Sequence, residues 1–225
     1  MTDNAAIVRE ALNFTPDVVA NKPTRKDLAY RALDALVAER DEARESRALN
    51  SQMNTILFEC HPDDAALFSA YSVLRHQAFI VTVLGSDFAR YAETEAAAAV
   101  LGEQSMNLGF SEANPDWDKV GYRMEHLDGT RMDVDLVFAP LEEEGGHSQH
   151  NEVGLLAREI FGDRCRFYAT YKRGHSRTRT DNEVTPEPDW YAKKFNAMSC
   201  YSSQINHPQM RPWFAADDML REWIA

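Results

Sequence analysis

Two short stretches carry residue types able to do chemistry: His61-Pro62-Asp63-Asp64 and His147-Ser148-Gln149-His150. Imidazole nitrogen and carboxylate oxygen are ordinary zinc ligands, and a catalytic zinc site uses three protein ligands while keeping one position for water. His61, one of the two aspartates and one of the two later histidines make such a set. The other aspartate is then available as general base toward the bound water, whose pKa zinc lowers to about 7. The remaining histidine can protonate a leaving amine or stabilise an oxyanion. The chemistry these side chains suggest is hydrolysis by metal-activated water.

Each stretch needs an element to deliver it. Ile56, Leu57 and Phe58 form an apolar run that ends before the His61-Pro62 bend. Pro62 offers no backbone donor and biases His61 away from helical geometry, so a strand is expected to stop near Cys60. Residues 63–76 repeat apolar side chains with helical spacing, which predicts a helix directly after the turn. The second stretch follows a predicted strand at 134–139, ended by Pro140, and precedes a predicted helix at 151–161. A strand at 78–84, a helix at 91–101 stopped by Gly102, a strand at 166–171 and a helix at 190–204 complete the pattern. Strands alternating with helices predict an α/β fold: a single Rossmann-like domain over 51–225, its sheet mainly parallel with helices on both faces. In such sheets ligands bind at the carboxyl ends of strands, where both stretches fall. Residues 1–50 form a separate N-terminal extension, an arm followed by a helix from Thr24 to about Ser46 that packs on the domain or mediates a homo-oligomer.

Composition narrows the function classes. A net charge of -12 argues against general polyanion binding, which relies on clustered Lys and Arg. One basic stretch, 171–180 (YKRGHSRTRT), reads as a solvated loop. Cys60, Cys165 and Cys200 are odd in number and lack metal or redox spacing, which fits a reducing cytoplasm. The N-terminus has no signal-peptide pattern, and no apolar run approaches the ~20 residues of a membrane span. Glu142–Gly146 is acidic and Gly-rich and suggests a mobile rim beside the metal. Trp117, Trp190 and Trp213 read as packing residues that could also stack on a ligand ring, and Tyr201 and Gln204 read as a helix end.

The chain resembles the PIG-L/LmbE-type zinc-dependent deacetylases of N-acetylated amino sugars. Their (A/P)HPDDE motif reads CHPDDA here, at 60–65. Arg90-Tyr-Ala-Glu93 leading to Leu101-Gly102 matches a second feature. His147-Ser-Gln-His150 matches their HPDH, and Lys194, Ala197 and Tyr201-Ser-Ser-Gln204 match a late pattern. The four features keep the family order from about 54 to 205. The resemblance implies that His61, Asp64 and His150 bind Zn2+ (or another divalent ion such as Fe2+), and that Asp63 is the general base. It further implies that His147 stabilises the oxyanion or acts as acid, and that Arg90 faces the substrate. The implied substrate is a small or conjugated N-acetyl amino sugar. Ala65 departs from the family's Glu, and Ser148-Gln149 from Pro-Asp. These departures motivate a second reading, a noncatalytic carbohydrate-binding or regulatory protein. The basic stretch motivates a third, a deacetylase acting on sugar-modified nucleic acid.

Overall fold

The computed structural model describes residues 55–127, 130–131, 133–172, 177–215 and 217–225. The expected arm and helix in 1–50 lie outside the described residues, as does His175. Within them the chain forms β1 (Thr55–Glu59), α1 (Asp64–Phe68), α2 (Ala70–His76), β2 (Phe79–Leu84), α3 (Phe88–Leu101), β3 (Ser105–Phe110) and α4 (Trp117–Glu125). A two-residue hairpin follows, β4 (His126–Leu127) with β5 (Thr130–Arg131). Then come β6 (Leu136–Pro140), α5 (Ser148–Phe161), β7 (Cys165–Tyr168), β8 (Asn182–Glu183), α6 (Trp190–Ser199), α7 (Ser202–Ile205), α8 (Arg211–Ala215) and β9 (Trp223–Ile224).

The main sheet runs in the order β3-β2-β1-β6-β7-β9-β8. Its first five strands are parallel, and β9 and β8 add an antiparallel edge. After β1 the chain winds outward through β2 and β3, then returns to place β6 on the other side of β1. That reversal is a topological switch point, and it opens a crevice at the carboxyl ends of β1 and β6.

All six residues of β2 and four of five in β1 are buried, with no alternation. A strand without alternation has both faces covered. Leu57 pairs laterally with Ile80 and Phe138, and all three join the cluster that α1, α2, α3 and α6 bury. Phe58, one residue on, faces the opposite side and stacks on Phe161 of α5 at 5.7 Å between ring centroids. The expected α/β architecture is therefore present, with helices on both faces.

Three expected elements differ in detail. The 63–76 helix breaks at Ser69 (φ −146°, ψ 24°) into α1 and α2. The cause lies elsewhere in the chain. Lys194 Nζ and Arg177 Nη2 donate to the carbonyls of Leu67 and Phe68 at 2.9 and 3.1 Å, while the Glu222 carboxylate accepts from Tyr71 N. Cations on the last carbonyls of α1 and an anion on the first N–H groups of α2 satisfy groups that a continuous helix would pair internally. The 190–204 helix likewise divides into α6 and α7. The helix expected at 151–161 begins at Ser148 instead, because His147 caps it: its Nδ1 accepts from Gln149 N. Strand β3, helix α4 and the β8–β9 edge have no counterpart among the expected elements. Gly102 ends α3 in the left-handed conformation (φ 82°), as expected.

No helix among the described residues is long and apolar enough to cross a membrane.

Candidate metal centre

The turn after β1 is pinned from three directions. Leu84 N donates to Cys60 O at 2.8 Å, Thr94 Oγ1 to Pro62 O at 2.7 Å, and His61 N to Asp64 Oδ2 at 2.8 Å. The opposite wall is the loop from β6 to α5. Expected as a mobile rim, it is tied down instead: the Asn151 side chain accepts from Glu143 N at 3.0 Å and donates to Glu143 O at 2.8 Å, and Gly146 N donates to Glu143 O at 3.0 Å. One turn beyond His150, Gly154 lets α5 approach the end of β6; a Cβ there would lie 2.2 Å from Pro140 O.

These supports bring both stretches together. His61 Nδ1 lies 3.1 Å from His150 Nε2 and 3.5 Å from Asp64 Oδ2, and His150 Nε2 lies 3.1 Å from Asp64 Oδ2. Three ligand atoms around a tetrahedral zinc, each about 2.0–2.1 Å from it, stand about 3.3 Å apart. The cradle fits a small divalent cation. Cys60 belongs to the same cluster, but its Sγ lies 3.8 Å from His61 Nε2, the ring nitrogen opposite the one the cradle uses.

Burial opposes charge on Asp64, yet His150 and His61 hold its carboxyl far below the usual carboxylate range. Burial also opposes charge on His61, but Cys60 and Asp64 beside it carry its proton affinity well above the ordinary value. A proton and a metal compete for the same place in such a cluster. Asp63 has the opposite fate. Burial and the neighbouring Asp64 push it up to about 6, against the pull of Arg90. Arg90 Nη2 donates to Asp63 Oδ1 at 3.0 Å, and its Nη1 to Glu112 Oε1 at 2.6 Å. Asp63 Oδ2 is buried with no hydrogen-bond partner among the described residues. Beneath the turn, Glu59 accepts from Thr82 Oγ1 and from Ala65 N, and burial raises it to about 8. A carboxyl group thus stands beside the site where the family's Glu gives way to Ala65.

The centre opens into a cavity of about 170 Å³. His61, Asp63, Asp64, Arg90 and His147 line it, while His150 sits deeper, 1% exposed. The six side chains given metal-binding, catalytic or substrate-facing roles by the resemblance therefore lie in one place. Three more contribute without having been singled out. Glu112 and Tyr171 line the cavity. Gln149, noted only as a departure, reaches His61 Nε2 with Oε1 at 2.9 Å. Trp213 lies in the wall against Tyr171, ring centroids 4.6 Å apart, and Gln204 also lines it. Trp190 stacks on Tyr71, away from the cavity, and Tyr201 is a core residue.

The basic stretch is not simply a solvated loop. Arg177 is 4% exposed and lies over the rings of Phe68 and Trp223, and Arg179 lies over Trp223.

No protein-family model and no curated protein sequence matches the chain. Solved structures do. A triple mutant of the deacetylase Orf2 of the teicoplanin biosynthetic pathway aligns with a TM-score of 0.55 at 17% identity, over 73% of this chain and 90% of that one. GalB, the 4-carboxy-2-hydroxymuconate hydratase of Pseudomonas putida, aligns with a TM-score of 0.56 at 14% identity, over 76% and 95%. A conserved protein of Thermus thermophilus aligns at 0.52 and 20% identity, over 72% and 85%. The chain thus has the fold of the LmbE/PIG-L-type deacetylases, the fold that its motifs imply. The hydratase shows that this fold hosts more than one reaction.

Proposed function

We propose that residues 51–225 are a metal-dependent hydrolase domain that removes the N-acetyl group from an N-acetylated amino sugar or its conjugate. The observation that carries this reading is the convergence of His61 Nδ1, Asp64 Oδ2 and His150 Nε2 within 3.1–3.5 Å, with the unpartnered Asp63 Oδ2 beside them. His61, Asp64 and His150 hold the ion, zinc or iron(II). Such an ion, when bound, polarises the amide carbonyl and lowers the pKa of a water.

The remaining side chains divide the proton work. Asp63 takes the proton of the attacking water at Oδ2, while Arg90 holds Oδ1 and so fixes the carboxylate plane. His147 accepts from Gln149 N at Nδ1, 3.3 Å away, which leaves its proton on Nε2. In this reading that N–H faces the developing oxyanion, and the proton gathered by Asp63 passes to the departing amine. The products are acetate and the free amino sugar. Tyr171 and Trp213 offer a sugar ring an aromatic wall.

The hydratase among the structural relatives favours a second reading, addition of water to a carbon–carbon double bond of an acidic substrate. The wall argues against it. Arg90 is already shared between Asp63 and Glu112, so it offers little to a substrate carboxylate. A noncatalytic sugar-binding protein has no use for a buried carboxylate oxygen left without a partner beside the three ligand atoms, as Asp63 Oδ2 is. The nucleic-acid reading loses Arg177, which is committed to the core.

The test is metal content of the purified protein by elemental mass spectrometry, beside His61→Ala, followed by acetate release from a panel of N-acetyl amino sugars. About one equivalent of metal, lost in the variant, and acetate release by the wild type are expected. Metal binding without acetate release from any member, but with hydration of an unsaturated acid, would give the reaction to the second reading.

A further inference from the structure

Gln149 occupies a position where the resembled family carries an acid, and it makes three hydrogen-bond contacts around the site. Its side-chain nitrogen donates to the backbone carbonyl of Glu112 at 2.5 Å. Its Oε1 lies 2.9 Å from His61 Nε2. Its backbone N donates to His147 Nδ1 at 3.3 Å.

These contacts fix hydrogen positions by elimination. A backbone carbonyl only accepts, so the amide must turn its NH2 toward Glu112 and its oxygen toward His61. An amide oxygen also only accepts, so the His61 nitrogen facing it must carry hydrogen. That nitrogen is Nε2. Nδ1, the nitrogen 3.1 Å from His150 Nε2 and 3.5 Å from Asp64 Oδ2, is then the one left to bind a cation. The amide could not serve by pointing the other way, because its oxygen would meet the Glu112 carbonyl.

From this geometry we infer that Gln149 is a positioning residue that selects the His61 tautomer and ring orientation needed for metal binding, using the Glu112 carbonyl as its anchor. The inference rests on the metal-site reading above. It assigns the loop after β3 a part in the metal centre, because the anchor is a main-chain oxygen of Glu112. The two histidines also differ. His150 Nδ1 has no hydrogen-bond partner among the described residues, so on the side of the ring away from the cradle only packing holds it: Tyr171 meets it edge-on at 5.6 Å and Phe68 at 6.3 Å. Hydrogen-bonded control of tautomer is concentrated on His61. An amide acceptor also leaves His61 a neutral ligand. A carboxylate there would draw the Nε2 proton and make the ring a stronger donor to the metal.

The experiment measures zinc affinity by competition with a chromophoric chelator for the full chain and for Gln149→Leu, which keeps the bulk and removes both hydrogen bonds. Outer partners of metal-binding histidines are typically worth about 10–100-fold in affinity, and a loss of that size is expected. Long-range 15N–1H spectra of the zinc-loaded wild type supply a readout that needs no variant. His61 should show hydrogen on Nε2 and metal on Nδ1. Equal affinity in Gln149→Leu, or a zinc-loaded wild type with His61 bound through Nε2, would overturn the inference while leaving the metal site standing. A wild type that takes up no zinc would instead overturn the reading on which it rests.

Discussion

Two clusters of buried charge lie in this domain, and they are built on opposite principles. At the break between α1 and α2, Lys194 and Glu222 are both 0% exposed and paired at 2.7 Å. Both charges are spent on protein groups: Lys194 also donates to Leu67 O, and Glu222 accepts from Tyr71 N with both oxygens at 3.0 Å, although the neutral Ser69 Oγ at the break is buried with no partner among the described residues. At the β1 and α5 turns, His61, Asp63, Asp64 and His150 are equally crowded, but Asp63 Oδ2 and His150 Nδ1 have no partner among the described residues and three ligand atoms face one point. A charge whose partners are all protein groups holds a backbone in place. A charge left incomplete beside a cavity retains capacity for something that arrives.

The most severe way to break the comparison is to delete a cluster member on the open side. Asp64→Ala should lose both metal and turnover, with acetate release at the level of buffer, since it removes a ligand atom and the acceptor of His61 N. Asp63→Asn should separate the two properties. It should keep about one equivalent of metal while kcat falls about 10²–10⁴-fold, the usual worth of a general base. Its metal-free form should also gain stability near pH 7. The Asp63 pKa is raised from 3.8 to about 6, so the native state holds its proton longer than the unfolded chain does, and stability falls as pH rises through that interval. Asparagine removes that cost. Wild-type turnover in Asp63→Asn would end its assignment as base.

The closed cluster should respond in stability rather than chemistry. Lys194→Met leaves Glu222 buried without its cation and Leu67 O without its donor, a loss of about 3–5 kcal/mol in chemical denaturation. The folded fraction should still bind metal with wild-type affinity. Loss of metal affinity at full stability would show that the helix break tunes the site and that the two clusters are one.

The difference also explains which parts were legible in the sequence. His61-Pro62-Asp63-Asp64 and His147-Ser148-Gln149-His150 are contiguous, chemically distinctive and placed at strand ends, so their meeting could be expected before any contact was known. The closed cluster joins Leu67, Tyr71, Lys194 and Glu222 across up to 151 positions, and nothing local at Ser69 announces a helix break. Strand β3 carries the alternation of a half-buried strand, Met106, Leu108 and Phe110, but over only six residues and with Gly109 inside it, so it does not stand out as the fully apolar runs of β1 and β2 do; β9 has only two residues. With β3 went Glu112 and the anchor of Gln149, 37 residues away. Arg177 looked like one more charge in a basic run; only the rings of Phe68 and Trp223 beside it show that it is core.

Gly154→Ala tests whether the open cluster depends on backbone approach. The added Cβ would meet Pro140 O at 2.2 Å, so α5 must shift away from β6 and carry His150 with it. A stability loss of about 1–3 kcal/mol, in the range for overpacking, is expected together with a weaker metal Kd. A stability loss with unchanged Kd would mean that the Asp64 and His61 contacts hold His150 without help from α5.

The last effect, read as a pH slope rather than as a loss at one pH, sits where the two principles meet. Glu59 is satisfied like the closed cluster, by Thr82 and Ala65, yet it lies under Asp63 and Asp64, which add to the effect of burial and raise it from 4.5 to about 8. The native state therefore keeps its proton where the unfolded chain has lost it. Its contribution to stability is complete below pH 4.5 and declines as pH rises through about 8. In the metal-free protein, denaturation midpoints between about pH 6 and 8.5 should fall with pH, and Glu59→Gln should flatten that decline. Metal loading should flatten it too, because a cation among Asp64, His61 and His150 offsets the negative charge above Glu59. If Glu59→Gln removes the slope but metal does not, Glu59 answers to burial alone and belongs with the closed cluster. If both remove it, the buried carboxyl reports on the charge of the site above it.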